Sequence, residues 1–265
     1  MNGMMKLLPN EHLSAAPARW HFLGATGAIE HTLEALGVKQ VALKPTRLMS
    51  TEELVISDLL TKQGTSNSHF SNGMAAYEMS FLRPNEENLY AFNRASLKIV
   101  GSHSILPNRW RWCPDCVEED NDIHGISYYH RDHQLPGVFH CHKHKHKLGL
   151  VDSCHECGFH VSSLKSLCVP PYDNKCPNCG MWMSSYDGIF TAAMAAIETA
   201  SLGLVQNQTY KNRQQASITA IRDHAGLKQV HENSLPERKR LINWLDAFSA
   251  HYQSGEIRAF FNQLR

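Results

Sequence analysis

A chain of 265 residues with 42% hydrophobic side chains can bury a sizeable core, as one large domain or two modest ones. Its 26 basic and 25 acidic residues leave a formal charge of +1, which excludes a globally basic nucleic-acid binder; contact with DNA has to come from a local patch or through partner proteins. No apolar run reaches the roughly 18 residues of a membrane span, and the opening MNGMMKLLPN lacks the apolar stretch of a secretory leader. The sequence therefore reads as intracellular, where close pairs among its eight cysteines are metal ligands before they are disulfides.

The first zone, residues 1–100, contains no cysteine and reads as helical. Residues 10–23 carry Leu13, Ala16, Trp20 and Leu23 at helical spacing, with Asn10 placed to cap and Glu11 suited to the first turn. Pro17 conflicts with that helix, because proline in a helix interior removes a hydrogen bond and kinks the rod. A second helix is predicted over 28–36 and ends at Gly37, and a third opens at Thr51 and reaches Thr61. Residues 64–73, rich in Ser, Asn and Gly, read as a loop, and 85–100 as a last helix. The middle zone, 101–185, holds every cysteine and most histidines, with short apolar runs that predict small hairpins stabilised by metal. The third zone, 186–265, is cysteine-free, with predicted helices over 190–205, 211–225 and 237–252. It closes on Phe260, Phe261, Asn262, Gln263, Leu264 and Arg265 without a polar tail, as a short or a truncated chain would. The expected architecture is mainly α, with a small-β zinc-binding middle and a helical region on each side.

Two ligand sets stand out. Cys113-Pro114-Asp115-Cys116 is a knuckle, in which two intervening residues let a tight turn aim both sulfurs at one ion, and Cys141-His142-Lys143-His144 is its downstream match. Together they predict a closed tetrahedral Cys3His site, structural because no position is left for water. His140, His142, His144 and His146 alternate, and in an extended strand the last three share a face; the Cys-x-x-His spacing selects His144. The alternative is a disulfide or free core cysteines. Cys154-His155-Glu156-Cys157 and Cys176-Pro177-Asn178-Cys179 form a zinc ribbon with four cysteine ligands, each second cysteine followed by a glycine where the turn needs positive φ. Cys168 is left over, as a small buried side chain or an alternative ligand. Arg109, Trp110, Arg111 and Trp112, with Lys143, Lys145 and Lys147, are candidates for nucleic-acid contact, since cations neutralise phosphates and rings stack on bases. The bland alternative is a core edge and a solvated strand face.

One order of motifs carries a family likeness. Arg111-Trp112-Cys113-Pro114-Asp115-Cys116 is followed by Tyr129-His130-Arg131-Asp132-His133-Gln134-Leu135-Pro136-Gly137, then Cys141-x-x-His144, Leu148 and the second pair of knuckles. With the opening Leu8-Pro9-Asn10-Glu11-x-Leu13 and Arg19, this resembles the TniQ/TnsD family of transposon target-site selectors over roughly residues 7 to 180. The resemblance implies a helix-turn-helix-like N-terminal unit and zinc ligands at Cys113, Cys116, Cys141, His144, Cys154, Cys157, Cys176 and Cys179. It implies a protein that neither cuts nor joins DNA. Such a protein marks an insertion site and recruits an AAA+ ATPase regulator, either by reading DNA or by docking on a CRISPR RNA-guided complex. It also implies a bacterial cytoplasmic setting, at the nucleoid when active. Three departures are His133, where the approach motif often has tryptophan, Pro17, and the short third zone, which favours an adaptor over an autonomous DNA reader. Helical flanks allow a homodimer.

Rival readings rest on less. The histidine-rich stretch 128–146 invites an HNH-type nuclease, with a histidine base and a divalent ion activating water, but only Asp132 offers a carboxylate there. A zinc deaminase needs an H-x-E element, and no phosphate loop, H-E-x-x-H helix or G-x-S-x-G elbow is present. A zinc-ribbon transcription factor fits the spacing alone.

Overall fold

The computed structural model describes residues 6–24, 27–39, 45, 51–63, 110–135, 138–148, 153–160, 169–183, 195, 198–199 and 202–203, with side chains from 55 onward in the third helix. The predicted loop 64–73, the predicted helix 85–100, Arg109 and Cys168 lie outside the described residues. So do the predicted C-terminal helices, save for the helical residues 195, 198–199 and 202–203. The chain divides into two compact units. One gathers Met1–Ser71, Pro107–Gln134 and His140–Tyr186, and the other Asn72–Leu106, Leu135–Phe139 and Asp187–Arg265. Within the second unit the Phe139 amide donates to Glu198 Oε2 at 3.3 Å.

In the first unit, α1 spans Ala16–Gly24 rather than starting near residue 10. Pro17 thus falls in the first turn, where its missing N–H has no intrahelical partner to lose, and the conflict read from the sequence disappears. Asn10 does not cap this helix. It adopts φ +60°, and its carbonyl accepts the Arg131 amide at 2.6 Å. The segment around it pairs antiparallel with residues 129–131: Glu11 bridges His130, and the His12 amide donates to the Tyr129 carbonyl at 2.8 Å. The Tyr128 hydroxyl adds a bond to the Pro9 carbonyl at 2.9 Å.

A buried ion pair ties this segment to α1. Arg19 Nε and Nη2 donate to the two carboxylate oxygens of Glu11 at 2.5 and 2.7 Å, Nη2 also reaches the Lys6 carbonyl, and the Leu8 amide donates to Glu11 Oε2. Burial pushes the Glu11 carboxyl pKa up, and Arg19 opposes that push. α2 spans Ile29–Leu36 and α3 Thr51–Lys62, with α1 packed on α2 and α2 on α3. α2 ends as expected at Gly37, whose φ of +68° allows the Gly37 amide to bond Glu34 and the Val38 amide to bond Leu33, both at 3.0 Å.

The cysteine zone contributes to the same core as the N-terminal helices. Ala15, Ala18, Ile29 and Leu33 pack with Trp110, Trp112, Val117, Tyr129, Cys154, Cys176 and Met183. Trp110 stacks on Tyr129 at 4.5 Å and receives the edge of His12 at 5.1 Å. Burial pulls the His12 pKa down to about 3, so this imidazole packs as a neutral ring, with Nδ1 2.8 Å from Ser14 Oγ. α4 spans Pro114–His124 and is followed by a 3-10 turn at Asp132–Gln134. The predicted hairpins are present as single antiparallel bridges, His140 with Lys147, Ser153 with His160 and Lys175 with Trp182.

Candidate metal centres

Three of the four knuckles share one backbone design. In each, the amide four residues after the first cysteine donates back to that cysteine's carbonyl: Lys145 to Cys141, Gly158 to Cys154 and Gly180 to Cys176, all at 2.8 Å. The first cysteine's own amide then closes the turn, on the His146, Phe159 and Met181 carbonyls at 2.7 to 2.8 Å. The residue after the second ligand takes positive φ each time, +69° at Gly158, +75° at Gly180 and +62° at Lys145. Lysine holds that left-handed conformation at a strain of about 1 kcal/mol, which glycine relieves while adding some unfolded-chain entropy. Lys145→Gly is therefore expected to raise stability by about 0.5–1 kcal/mol, read as a small upward shift in a thermal melt; a downward shift would contradict the shared turn design.

The remaining knuckle is built on a helix. Cys113 is the N-cap of α4 and Pro114 opens it, which places Cys116 in the first turn, where the helix dipole favours a thiolate. The turn and the helix bring Cys113, Cys116, Cys141 and His144 together, with all four ligand atoms within 4.8 Å of one another. Cys116 Sγ lies 3.6 Å from Cys141 Sγ, and His144 Nδ1 lies 3.5, 3.4 and 3.6 Å from the sulfurs of Cys113, Cys116 and Cys141. A tetrahedral zinc ion, with Zn–S near 2.3 Å and Zn–N near 2.0–2.1 Å, requires separations of roughly 3.8 Å between sulfurs and roughly 3.5–3.6 Å from sulfur to nitrogen. A disulfide requires about 2.05 Å, and the described cysteines are all free. The donor set therefore fits a thiophilic ion and not a disulfide.

Electrostatics and outer contacts agree with that fit. Hydrogen bonds from Cys113 and Cys141 push the Cys116 thiol pKa up, while bonds from Cys113 and Cys116 push that of Cys141 down. Three packed sulfurs oppose one another's ionisation, and a cation binding there displaces their protons. His144 turns Nε2 to Glu119 Oε1 at 3.1 Å, the carboxylate support that fixes a ligating imidazole. His146 instead faces Asp115 at 3.1 Å near the surface, and His140 lies in the bridge with Lys147.

The second set gathers Cys154, Cys157, Cys176 and Cys179 within 4.8 Å, with sulfur pairs 154–179 and 157–176 each at 3.6 Å. Cys154 and Cys176 are buried, whereas Cys157 and Cys179 are exposed. Asn178 leads the contacts that pull the Cys157 thiol down to about 6. Asn174 joins the two sets. Its Oδ1 accepts the Trp112 indole N–H at 3.2 Å, its Nδ2 reaches the Pro114 carbonyl at 3.4 Å, and its own carbonyl takes the Met183 amide at 2.9 Å. Ser127 and Asn121 add bonds to the Pro170 and Tyr172 carbonyls. The two clusters are parts of one packed unit, not beads on a string.

The expected nucleic-acid contacts need correction at three positions. Trp110, Arg111 and Trp112 are only 1%, 1% and 3% exposed, so they present neither a charge nor a ring to an external ligand. Gln134 clamps the Arg111 backbone, accepting its amide at 3.0 Å and donating to its carbonyl at 2.7 Å. The alternation of charge and aromatic read as a binding edge is a core segment. Lys143 and Lys145 are exposed, and Lys143 pairs with Glu119; Lys147 is half-buried. Sequence reasoning passed over Gln134, Asn174 and Glu119. Asn174 had a local signal, an Asp-Asn turn that tolerates the φ of +58° it adopts.

The TniQ family profile matches residues 4–148, more than half of the chain. The chain belongs to the TniQ family. Membership makes it a transposition-associated target-selection protein. The matched segment holds the Glu11–Arg19 pair and all of the first ligand set, and it stops at Leu148, so the second set lies beyond it. No curated protein and no solved structure matches the chain. Among the described residues, no helix is long and apolar enough to cross a membrane.

Proposed function

We propose that this TniQ protein is a non-catalytic adaptor that links a DNA- or RNA-guided targeting complex to an AAA+ transposition regulator. One zinc ion is held by Cys113, Cys116, Cys141 and His144, and a second by Cys154, Cys157, Cys176 and Cys179. Both ions are structural, because four protein donors leave no position for water. A helix-turn-helix-like unit in residues 1–100 and a helical region in 186–265 flank this module and offer partner surfaces. The observation that carries the reading is the family match over 4–148, joined to two ligand clusters that share one core with the N-terminal helices. DNA contact, direct or through partners, falls to Arg109 and to the lysines of the Cys141 knuckle, Lys143, Lys145 and Lys147. Both histidines that would serve a nuclease are engaged inside the fold: His130 Nε2 lies 2.8 Å from Asp120, and His133 is buried. The test is co-purification of the zinc-loaded chain with the AAA+ ATPase, and separately with the CRISPR effector complex, encoded on the same element. Retention of the ATPase with ATP, lost in a Cys113→Ser/Cys116→Ser variant, is expected. A folded, metal-loaded chain that retains neither partner, or that cleaves DNA by itself, would overturn the proposal.

A further inference from the structure

We propose that His133 is a hydrogen-bond donor to the sulfurs of the Cys113–Cys116–Cys141–His144 set, a positioning residue that shields that set's metal from attack at its thiolates. The inference rests on the zinc reading of those four residues. His133 is 1% exposed, and neither ring nitrogen has a hydrogen-bond partner in the metal-free set. A ring buried this deeply is neutral and still carries one N–H, which needs an acceptor. The ligand atoms beside it are the Cys116 sulfur and a ring nitrogen of His130. A ring nitrogen lies within 4.8 Å of Cys116 Sγ. His130 stacks on His133 at 4.9 Å, and Tyr128 stacks on His130 at 4.6 Å, so the imidazole cannot swing away without breaking the column. His130 is not the donor, because its Nε2 is committed to Asp120.

Three thiolates on a divalent ion leave a net negative centre inside the unit. An N–H aimed at such a sulfur draws off electron density. It thereby slows both protonation and attack on a disulfide or other electrophile, and it holds the ligand in orientation. The second set has two exposed cysteines and serves as an internal reference within the same molecule.

The full chain, loaded with zinc, is treated with a thiol-oxidising disulfide reagent in the presence of a colorimetric zinc chelator. His133→Phe, which keeps an aromatic ring without a donor, is expected to release one of the two ions about 10-fold faster or more, the scale of a lost outer contact. The release of the other ion stays unchanged. His133→Gln, which restores an N–H, returns the rate toward that of the unmodified chain. In cobalt-substituted protein the sulfur-to-metal charge-transfer band moves to lower energy in His133→Phe; a packing defect alone would slow or speed both variants alike and leave the band in place. Equal release by all three proteins with an unmoved band overturns the proposal. So does a third bound ion lost in His133→Phe, which would make His133 a ligand. Should His133→Phe not fold, cadmium-113 spectra of the unmodified chain decide: coupling from the metal to the His133 N–H across sulfur supports the bond, and its absence overturns it. Failure of the underlying zinc reading is separately visible as an unmodified chain that binds no metal.

Discussion

Replacing Cys176 with alanine is expected to unfold far more than the knuckle that carries it. Structural zinc contributes on the order of 10 kcal/mol to the folding of its domain, comparable with the whole stability of a typical protein, about 5–15 kcal/mol. Cys176 is also buried in the core that Trp112, Val117, Ala15 and Ala18 share. Loss of one ligand leaves three sulfurs without their ion and opens a gap beside those side chains. Cys176→Ala, and equally Cys154→Ala, should abolish the cooperative melt of the middle zone and weaken near-ultraviolet circular dichroism from Trp110 and Trp112. Metal content should fall by at least one ion. A melting curve indistinguishable from that of the unmodified chain would contradict a structural role for the second set.

Arg19→Met is the second large effect. The Glu11 carboxylate is enclosed, with Arg19 holding both of its oxygens and the Leu8 amide on one of them. Removing the guanidinium leaves a buried carboxylate without its counter-ion, at a loss of roughly 3–5 kcal/mol in urea-unfolding free energy. The double variant Glu11→Leu/Arg19→Met should recover much of that loss, because no lone charge remains. If the single variant lost less than about 1 kcal/mol, comparable to a surface pair, the pair would not be pinning the N-terminal segment to α1.

These two sites differ in how far they could be read from the sequence. The cysteine sets were legible because a knuckle is a local device: two intervening residues decide whether two sulfurs face one ion, and the spacing is printed in the chain. Three of the four knuckles turned out to share a backbone, and at Lys145 the left-handed turn is present without the glycine that signals it elsewhere. The start of α1 was not legible, because the apolar period of Leu13, Ala16, Trp20 and Leu23 runs across its true boundary. Leu13 is buried in the turn that follows the segment paired with residues 129–131, ahead of the helix. Arg111 and Trp112 misled for the opposite reason. Their composition suits a nucleic-acid edge, but burial is decided by Gln134 and Asn174, which lie 23 and 62 residues away. Glu119 supports His144 from a helix that the sequence marks only through its Cys-Pro start. Contacts of that range leave no periodic trace.

The central claim is that two closed tetrahedral metal sites hold the cysteine zone together with the N-terminal helices. X-ray absorption at the zinc edge, with elemental analysis of the purified full chain, tests it most directly. Two zinc ions per chain are expected, with seven sulfur neighbours and one nitrogen between them, near 2.3 Å and 2.0–2.1 Å. A chain fully folded without bound metal, or zinc surrounded mainly by oxygen, would contradict it.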